Sequence, residues 1–119
     1  MEPDNEVILL DTNMLMAAVQ FKAKWPDKSF TLSSCIDELE KIALGKKNDS
    51  MHARAAIKIL KLKKIPIKKT DKKGDAAILD YALRQRCAVA TNDKKLIRKL
   101  QSKSIKVFHL RQKKLIVEA

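Results

Sequence analysis

Glycine is scarce in this chain, which has only Gly45 and Gly74 among its 119 residues. Two glycines so far apart cannot build the GxxxxGK[ST] or GxGxxG loops that cradle nucleotide phosphates, so those nucleotide-binding classes are excluded. Long hydrophobic runs are also missing, since no segment approaches the roughly 18 consecutive apolar residues of a membrane span. The first six residues are acidic, unlike a secretory leader. We therefore expect a soluble, cytoplasmic protein with no membrane partner.

Metal-binding patterns of cysteine and histidine are lacking as well. Cys35 and Cys87 have no CxxC spacing, and we expect both to be reduced, buried thiols. His52 and His109 each stand alone, which favours structural or surface roles over metal ligation. With one tryptophan, one tyrosine and three phenylalanines, the chain offers little surface for stacking on nucleic-acid bases.

Charge is abundant and unevenly distributed. Residues 1–40 contain three lysines and eight acidic residues, whereas residues 41–119 contain 23 basic and six acidic residues. The net charge is +12. A basic chain with a local acidic segment suggests a surface that binds a polyanion around an acidic patch. A metal-dependent nuclease needs that combination.

The apolar pattern predicts one α/β domain over residues 1–119. Residues 7–10 and 87–90 are short apolar runs typical of strands buried on both faces of a parallel sheet. Strands and helices alternate, which predicts a three-layer α/β/α sandwich around a central, mostly parallel five-stranded sheet. Residues 115–117 are a candidate for an additional short strand. We also expect Ser33 or Ser34 to cap the second helix and Gly45 to end it in the left-handed conformation.

Four acidic residues follow predicted strands, directly or within the first turns of the next helix: Asp11, Glu38, Asp75 and Asp93. Each is also explained as a residue favoured at a helix start. The carboxyl ends of parallel strands lie at one edge of the sheet, where ligands bind in such folds. Two carboxylates about 4 Å apart repel by roughly 4 kcal/mol at an effective dielectric near 20, so converging acids would need a cation. Oxygen-only ligands favour Mg²⁺ or Mn²⁺.

Four segments resemble, in order, the motifs of PIN-domain ribonucleases: DTN at 11–13, CIDEL at 35–39, GDAAI at 74–78 and TNDKKL at 91–96. The resemblance extends from residue 7 to about residue 117. It implies a PIN-like endoribonuclease in which Asp11, Glu38, Asp75 and Asp93 are catalytic and hold one or two Mg²⁺ or Mn²⁺ ions. Asp37 could replace Glu38, but the family pattern places the ligand directly before leucine, which selects Glu38.

The same motifs contain polar residues beside the acids. The resemblance implies that these residues orient the carboxylates or water, and they are Thr12, Asn13, Thr91 and Asn92. Exposed lysines near and within the 61–73 segment are candidates for contacts with RNA phosphates. They are Lys58, Lys61, Lys63, Lys64, Lys68, Lys69, Lys72 and Lys73. The expected substrate is rRNA, tRNA or mRNA.

Within the family, the chain is similar to compact archaeal members, both VapC-type toxins and the nucleases of small-subunit rRNA maturation. A toxin would have an antitoxin protein as partner, and homodimers are common in the family. A haloacid dehalogenase-type enzyme would need an acid at the position of Asn13, which argues against that class. The remaining alternative is a non-catalytic PIN-like module for RNA binding or assembly.

Overall fold

A computed structural model describes residues 7–111 and 115–119, which form six strands and five helices. The strands are β1 Ile8–Leu10, β2 Ser29–Leu32, β3 Ile67–Lys68, β4 Ala88–Ala90, β5 Val107–Arg111 and β6 Leu115–Glu118. The helices are α1 Thr12–Gln20, α2 Ser33–Ala43, α3 Asn48–Leu62, α4 Gly74–Gln85 and α5 Lys94–Ser102.

The strands form one sheet in the order β3-β2-β1-β4-β5-β6. The first five pair in parallel, whereas β6 runs antiparallel to β5. Ile8 pairs with Ser29 on one side and with Ala88 on the other, so β1 lies at the centre. The sheet is mostly parallel, as expected, but the predicted count of five strands was wrong. Residues 115–117, the candidate for an additional short strand, belong to the sixth strand.

Alternating side chains of the central strands supply two cores, one on each face of the sheet. Ile8 and Leu10 belong to the core under α1 and α3, whereas Leu9 belongs to the core under α4 and α5. Helix α2 contributes to both cores, with Leu39 in the first and Cys35 in the second. Helices on both faces of a parallel sheet confirm the predicted three-layer α/β/α sandwich.

Two local predictions about α2 were wrong. The residue before the helix is Leu32, and no side chain caps the helix start, so neither Ser33 nor Ser34 plays that part. Gly45 does not have a positive φ, unlike Gly74. A Cβ at Gly45 would lie 2.7 Å from the Ser50 Oγ, so close approach of the next helix explains the glycine there.

Two further observations concern the described part of the chain. Both cysteines are free, with Cys35 buried as expected and Cys87 only partly buried. Among the described residues, no helix has the length and apolar character required to cross a membrane.

Candidate active site

The candidate site lies where the strand order reverses. After β1 the chain continues to β2 on one side, and after β4 it continues to β5 on the other side. The carboxyl ends of these two neighbouring strands therefore form the switch point at which ligands bind in open α/β sheets. Asp11 follows β1, and Thr91, Asn92 and Asp93 follow β4.

Asp11 is almost completely buried, with 8% of its surface exposed. Its Oδ1 accepts a hydrogen bond from the Met14 backbone N–H at 2.7 Å, which caps α1, and its Oδ2 accepts one from the Thr91 hydroxyl at 2.5 Å. Burial raises the pKa of the Asp11 carboxyl from 3.8 to about 6, and the negative charges of Asp75 and Asp93 add to the rise. The two hydrogen bonds oppose it. Asp11 thus carries a destabilised charge in a fixed orientation.

A small crevice of about 40 Å³ opens beside Asp11. Three of the four predicted acids line it, because α2 brings Glu38 and the start of α4 brings Asp75 to the same edge. Glu38 and Asp75 are exposed, and neither makes a hydrogen bond or ion pair with another described residue. Their carboxylates are free to turn. The other residues that line the crevice are Thr12, Asn13, Cys35, Gly74 and Ile78.

Asp93 is placed differently from the other three acids. It does not line the crevice, and its Oδ1 caps α5 by accepting hydrogen bonds from the backbone N–H groups of Lys95 and Leu96 at 2.9 and 3.3 Å. Its own N–H donates to the Thr91 hydroxyl at 3.1 Å, and that hydroxyl donates to Asp11. Asp93 therefore influences Asp11 through charge and through Thr91.

The carboxylates do not yet form a complete metal cage. Within residues 7–111 and 115–119, no group of three aspartate, glutamate, histidine or cysteine side chains is arranged to hold a metal ion. The chemistry of the crevice nevertheless suits a hard cation, since its acids present oxygen ligands and the charges of Asp75 and Asp93 add to the effect of burial in raising the pKa of Asp11. Rotation of the unpartnered Glu38 and Asp75 side chains would be needed to complete the ligand set.

The alternative acid on α2, Asp37, lies outside the crevice. It lines a neighbouring groove of about 410 Å³, which Glu38 also lines. Lys41 and Lys73 line this groove as well. Sequence reasoning missed Lys41, because it follows the acidic part of a helix and lies far from the lysine-rich segment.

The four polar residues beside the acids have separate surroundings. Thr91 is fully buried and donates to Asp11, and Thr12 is buried at the crevice, where its hydroxyl opposes the rise in the pKa of the Cys35 thiol. Asn13 is exposed at the crevice. Asn92 does not line the crevice. Its Oδ1 accepts a hydrogen bond at 2.8 Å from the N–H of Leu110, which lies on β5.

Cys35 brings a thiol to the crevice that sequence reasoning did not place there. It is 3% exposed, and burial raises the pKa of the thiol above its ordinary value of 9.0. Hydrogen bonds with the Thr31 and Thr12 hydroxyls oppose this shift. Cys35 is therefore a protonated, poorly reactive thiol at neutral pH.

All eight lysines predicted to contact RNA are exposed. Lys61, Lys63 and Lys64 precede β3 and so lie towards the amino ends of the strands. Lys69, Lys72 and Lys73 follow β3, towards the edge that carries the crevice. Lys72 is partly neutralised by Asp80, with 3.1 Å between its Nζ and the carboxylate.

Comparison with known proteins identifies the family of the fold. Residues 8–113 match the family described as a PIN like domain. The chain belongs to the PIN-like domain family. The match covers all four predicted acids and confirms the resemblance inferred from the motifs. This PIN-like domain is also similar to Ribonuclease VapC9 of Archaeoglobus fulgidus, with 29% identity over 115 residues that cover 89% of this chain and 84% of that protein.

Replacing Asp11 with asparagine should stabilise the PIN-like domain at neutral pH. The pKa of Asp11 is about 6 in the folded protein and 3.8 ordinarily. The free energy of unfolding therefore falls as the pH rises through this interval, because the buried carboxyl loses its proton. The full penalty is at most about 3 kcal/mol, at 1.36 kcal/mol for each pKa unit. We expect Asp11→Asn to raise the free energy of unfolding in urea at pH 7.5, with a smaller gain at pH 4.5.

The control for this prediction is Asp37→Asn, which removes an exposed charge from α2. It should change the free energy of unfolding by no more than about 0.5 kcal/mol at pH 7.5. An Asp11→Asn protein with the wild-type stability at pH 7.5 would contradict the buried-charge interpretation.

Gly74→Ala should destabilise the PIN-like domain through the backbone alone. Gly74 has a φ of +61°, and a Cβ built there would meet no atom within 4 Å. An L-residue in the left-handed region costs roughly 1–2 kcal/mol, and asparagine tolerates it better than alanine. We expect urea denaturation to show a loss of about 1 kcal/mol for Gly74→Ala and a smaller loss for Gly74→Asn. Equal losses for both variants would exclude this explanation.

Proposed function

We propose that this PIN-like domain is an endoribonuclease of the VapC toxin type that hydrolyses RNA phosphodiesters with Mg²⁺ or Mn²⁺. The observation that carries the proposal is the convergence of Asp11, Glu38 and Asp75 on one crevice from three separate parts of the chain. Helix capping explains Asp11 but not the exposed, unpartnered Glu38 and Asp75. Similarity to a protein named Ribonuclease VapC9 supports the toxin type over the rRNA-processing type.

The proposed ligands are Asp11, Glu38 and Asp75, with Asp93 as a fourth acid close enough to influence Asp11. A bound divalent cation would activate water and neutralise negative charge on the phosphate. Thr91 holds the Asp11 carboxylate in one orientation, and the exposed side chains of Glu38 and Asp75 would turn towards it to share the cation. Water would attack phosphorus as the bond to the 3′-oxygen breaks, and that oxygen would leave with a proton. The products would carry a 5′-phosphate and a 3′-hydroxyl.

The lysines are proposed to bind the RNA backbone. Without a cation, the acids of the crevice would repel the scissile phosphate, so attraction of the substrate must come from the surrounding basic surface. Lys73 and Lys41 line the same groove as Glu38, which makes them the first candidates for contact with the phosphates beside the acids. The lysines before β3 would contact more distant phosphates.

The toxin interpretation extends to partners and location. By its likeness to Ribonuclease VapC9, we propose an antitoxin protein as partner and RNA as substrate. A homodimer and a cytoplasmic location remain predictions from the family resemblance.

Cleavage should depend on both the metal and Asp11. With structured and single-stranded RNA, we expect the wild type to cut in Mn²⁺ or Mg²⁺ and to be inactive in EDTA. A bound cation stabilises the transition state by several kcal/mol, so the loss of one of its ligands in Asp11→Asn should slow RNA cleavage at least about a hundredfold. Gel analysis of end-labelled RNA measures both effects.

Asp37→Asn is the matched control, because it removes an acid one residue from Glu38 without altering the crevice lining. It should retain cleavage. RNA binding without cleavage by the wild type under all these conditions would overturn the nuclease proposal and favour a non-catalytic RNA-binding module.

The position of the RNA can be tested by single charge removals. We expect Lys73→Gln to weaken binding and to reduce the slope of log affinity against log salt concentration by about 0.7, the value for one contact with a single strand. Lys61→Gln, which removes the same charge before β3, should have a smaller effect. Fluorescence anisotropy with the Asp11→Asn protein avoids cleavage. A larger effect at Lys61 would place the RNA at the opposite edge.

A further inference from the structure

The side chain of Ser33 joins the start of α2 to the loop between β3 and α4. The Thr70 N–H donates to the Ser33 Oγ at 3.0 Å, and the Ser33 hydroxyl donates to the Thr70 carbonyl at 3.3 Å. These residues are 37 positions apart. Ser33 opens α2 yet leaves that helix without a side-chain cap, so its hydroxyl serves the loop in place of its own helix.

The loop is also fixed from its other end. The Lys72 N–H donates to the Thr70 hydroxyl at 3.2 Å, and the Lys72 ammonium group binds Asp80 of α4 at 3.1 Å. Arg84 binds the second oxygen of Asp80 at 3.0 Å. The loop therefore has defined contacts with both α2 and α4.

The two ends of this connection lead directly to two acids of the crevice. Glu38 is five residues after Ser33, a rise of about 7.5 Å along α2. Asp75 follows Thr70 by the same number of residues, after the left-handed turn at Gly74. The contact between Ser33 and Thr70 thus links the helix that carries Glu38 to the loop that leads to Asp75.

We propose that Ser33 is a positioning residue that, through the backbone of Thr70, sets the separation of the backbone segments from which the Glu38 and Asp75 carboxylates reach a shared divalent cation. This inference rests on the proposed function, because it requires that both acids bind the same ion. Ser33 itself contacts neither the ion nor RNA. Loss of a residue that holds a metal ligand in place without touching the metal typically weakens metal affinity by 10–100-fold.

Titration calorimetry with Mn²⁺ and no RNA tests the inference. We expect Ser33→Ala to bind Mn²⁺ about tenfold more weakly, and Ser33→Thr to recover most of the affinity because it keeps the hydroxyl. Ser102→Ala is the matched control, since the Ser102 hydroxyl also donates to a backbone carbonyl, that of Lys99, at 2.7 Å. The control should bind Mn²⁺ as the wild type does.

Two further measurements separate positioning from general destabilisation. If Ser33 acts through Asp75, Ser33→Ala should not weaken Mn²⁺ binding further in an Asp75→Asn background, because the two effects are then not additive. In the metal-free protein, amide hydrogen exchange at Thr70 should accelerate in Ser33→Ala, while the urea midpoint shifts no more than in Ser102→Ala.

The outcomes distinguish this inference from the proposed function. Wild-type affinity in Ser33→Ala, or additive losses with Asp75→Asn, would overturn the role of Ser33 and leave the nuclease proposal intact. Absence of Mn²⁺ binding by the wild type would overturn both.

Discussion

The burial of one carboxylate at the end of the central strand is the constraint on which the site depends. Asp11 keeps 8% of its surface exposed and has both oxygens occupied, one by the start of α1 and one by Thr91. A buried charge is tolerated when hydrogen bonds satisfy it. The bond from Met14 is local to the start of α1, whereas the bond from Thr91 forms because β1 and β4 pair in register and bring Thr91 to Asp11. The central pairing of the sheet and the orientation of the carboxylate are one structural requirement.

The rest of the acidic crevice has the opposite character. Glu38 within α2 and Asp75 at the start of α4 are exposed to solvent, without partners among the described residues. This explains how three acids line one crevice while no described group of ligands is closed around an ion. One carboxylate is fixed by the core, and two can adjust to it. Such an arrangement lowers repulsion in the metal-free protein, since mobile charges can move apart in water.

The sequence predicted the structure well where a local pattern of residues is compatible with only one kind of structure. Short apolar runs predicted the buried strands, and acids after strands predicted which side chains would share an edge. It was less informative where contacts are distant in sequence. Nothing in the local pattern of Asp93 distinguishes a helix cap from a crevice acid, and Asn92 looks like a crevice residue until its contact with Leu110 is known. Gly45 likewise depends on the approach of Ser50 from the next helix.

The sequence separation within the central pair has a consequence for protein synthesis. Asp11 and Thr91 are 80 positions apart, and Thr91 in turn donates its N–H to Phe108 on β5. Contacts so distant in sequence form late in folding, because the entropy of closing the intervening chain must be lost before the contact can stabilise it. A nascent chain in which β4 has not yet folded, or one truncated before β4, lacks the Thr91 bond that fixes the second oxygen of Asp11. Under the proposed function, an incomplete copy of this chain would therefore be harmless to the RNA around it.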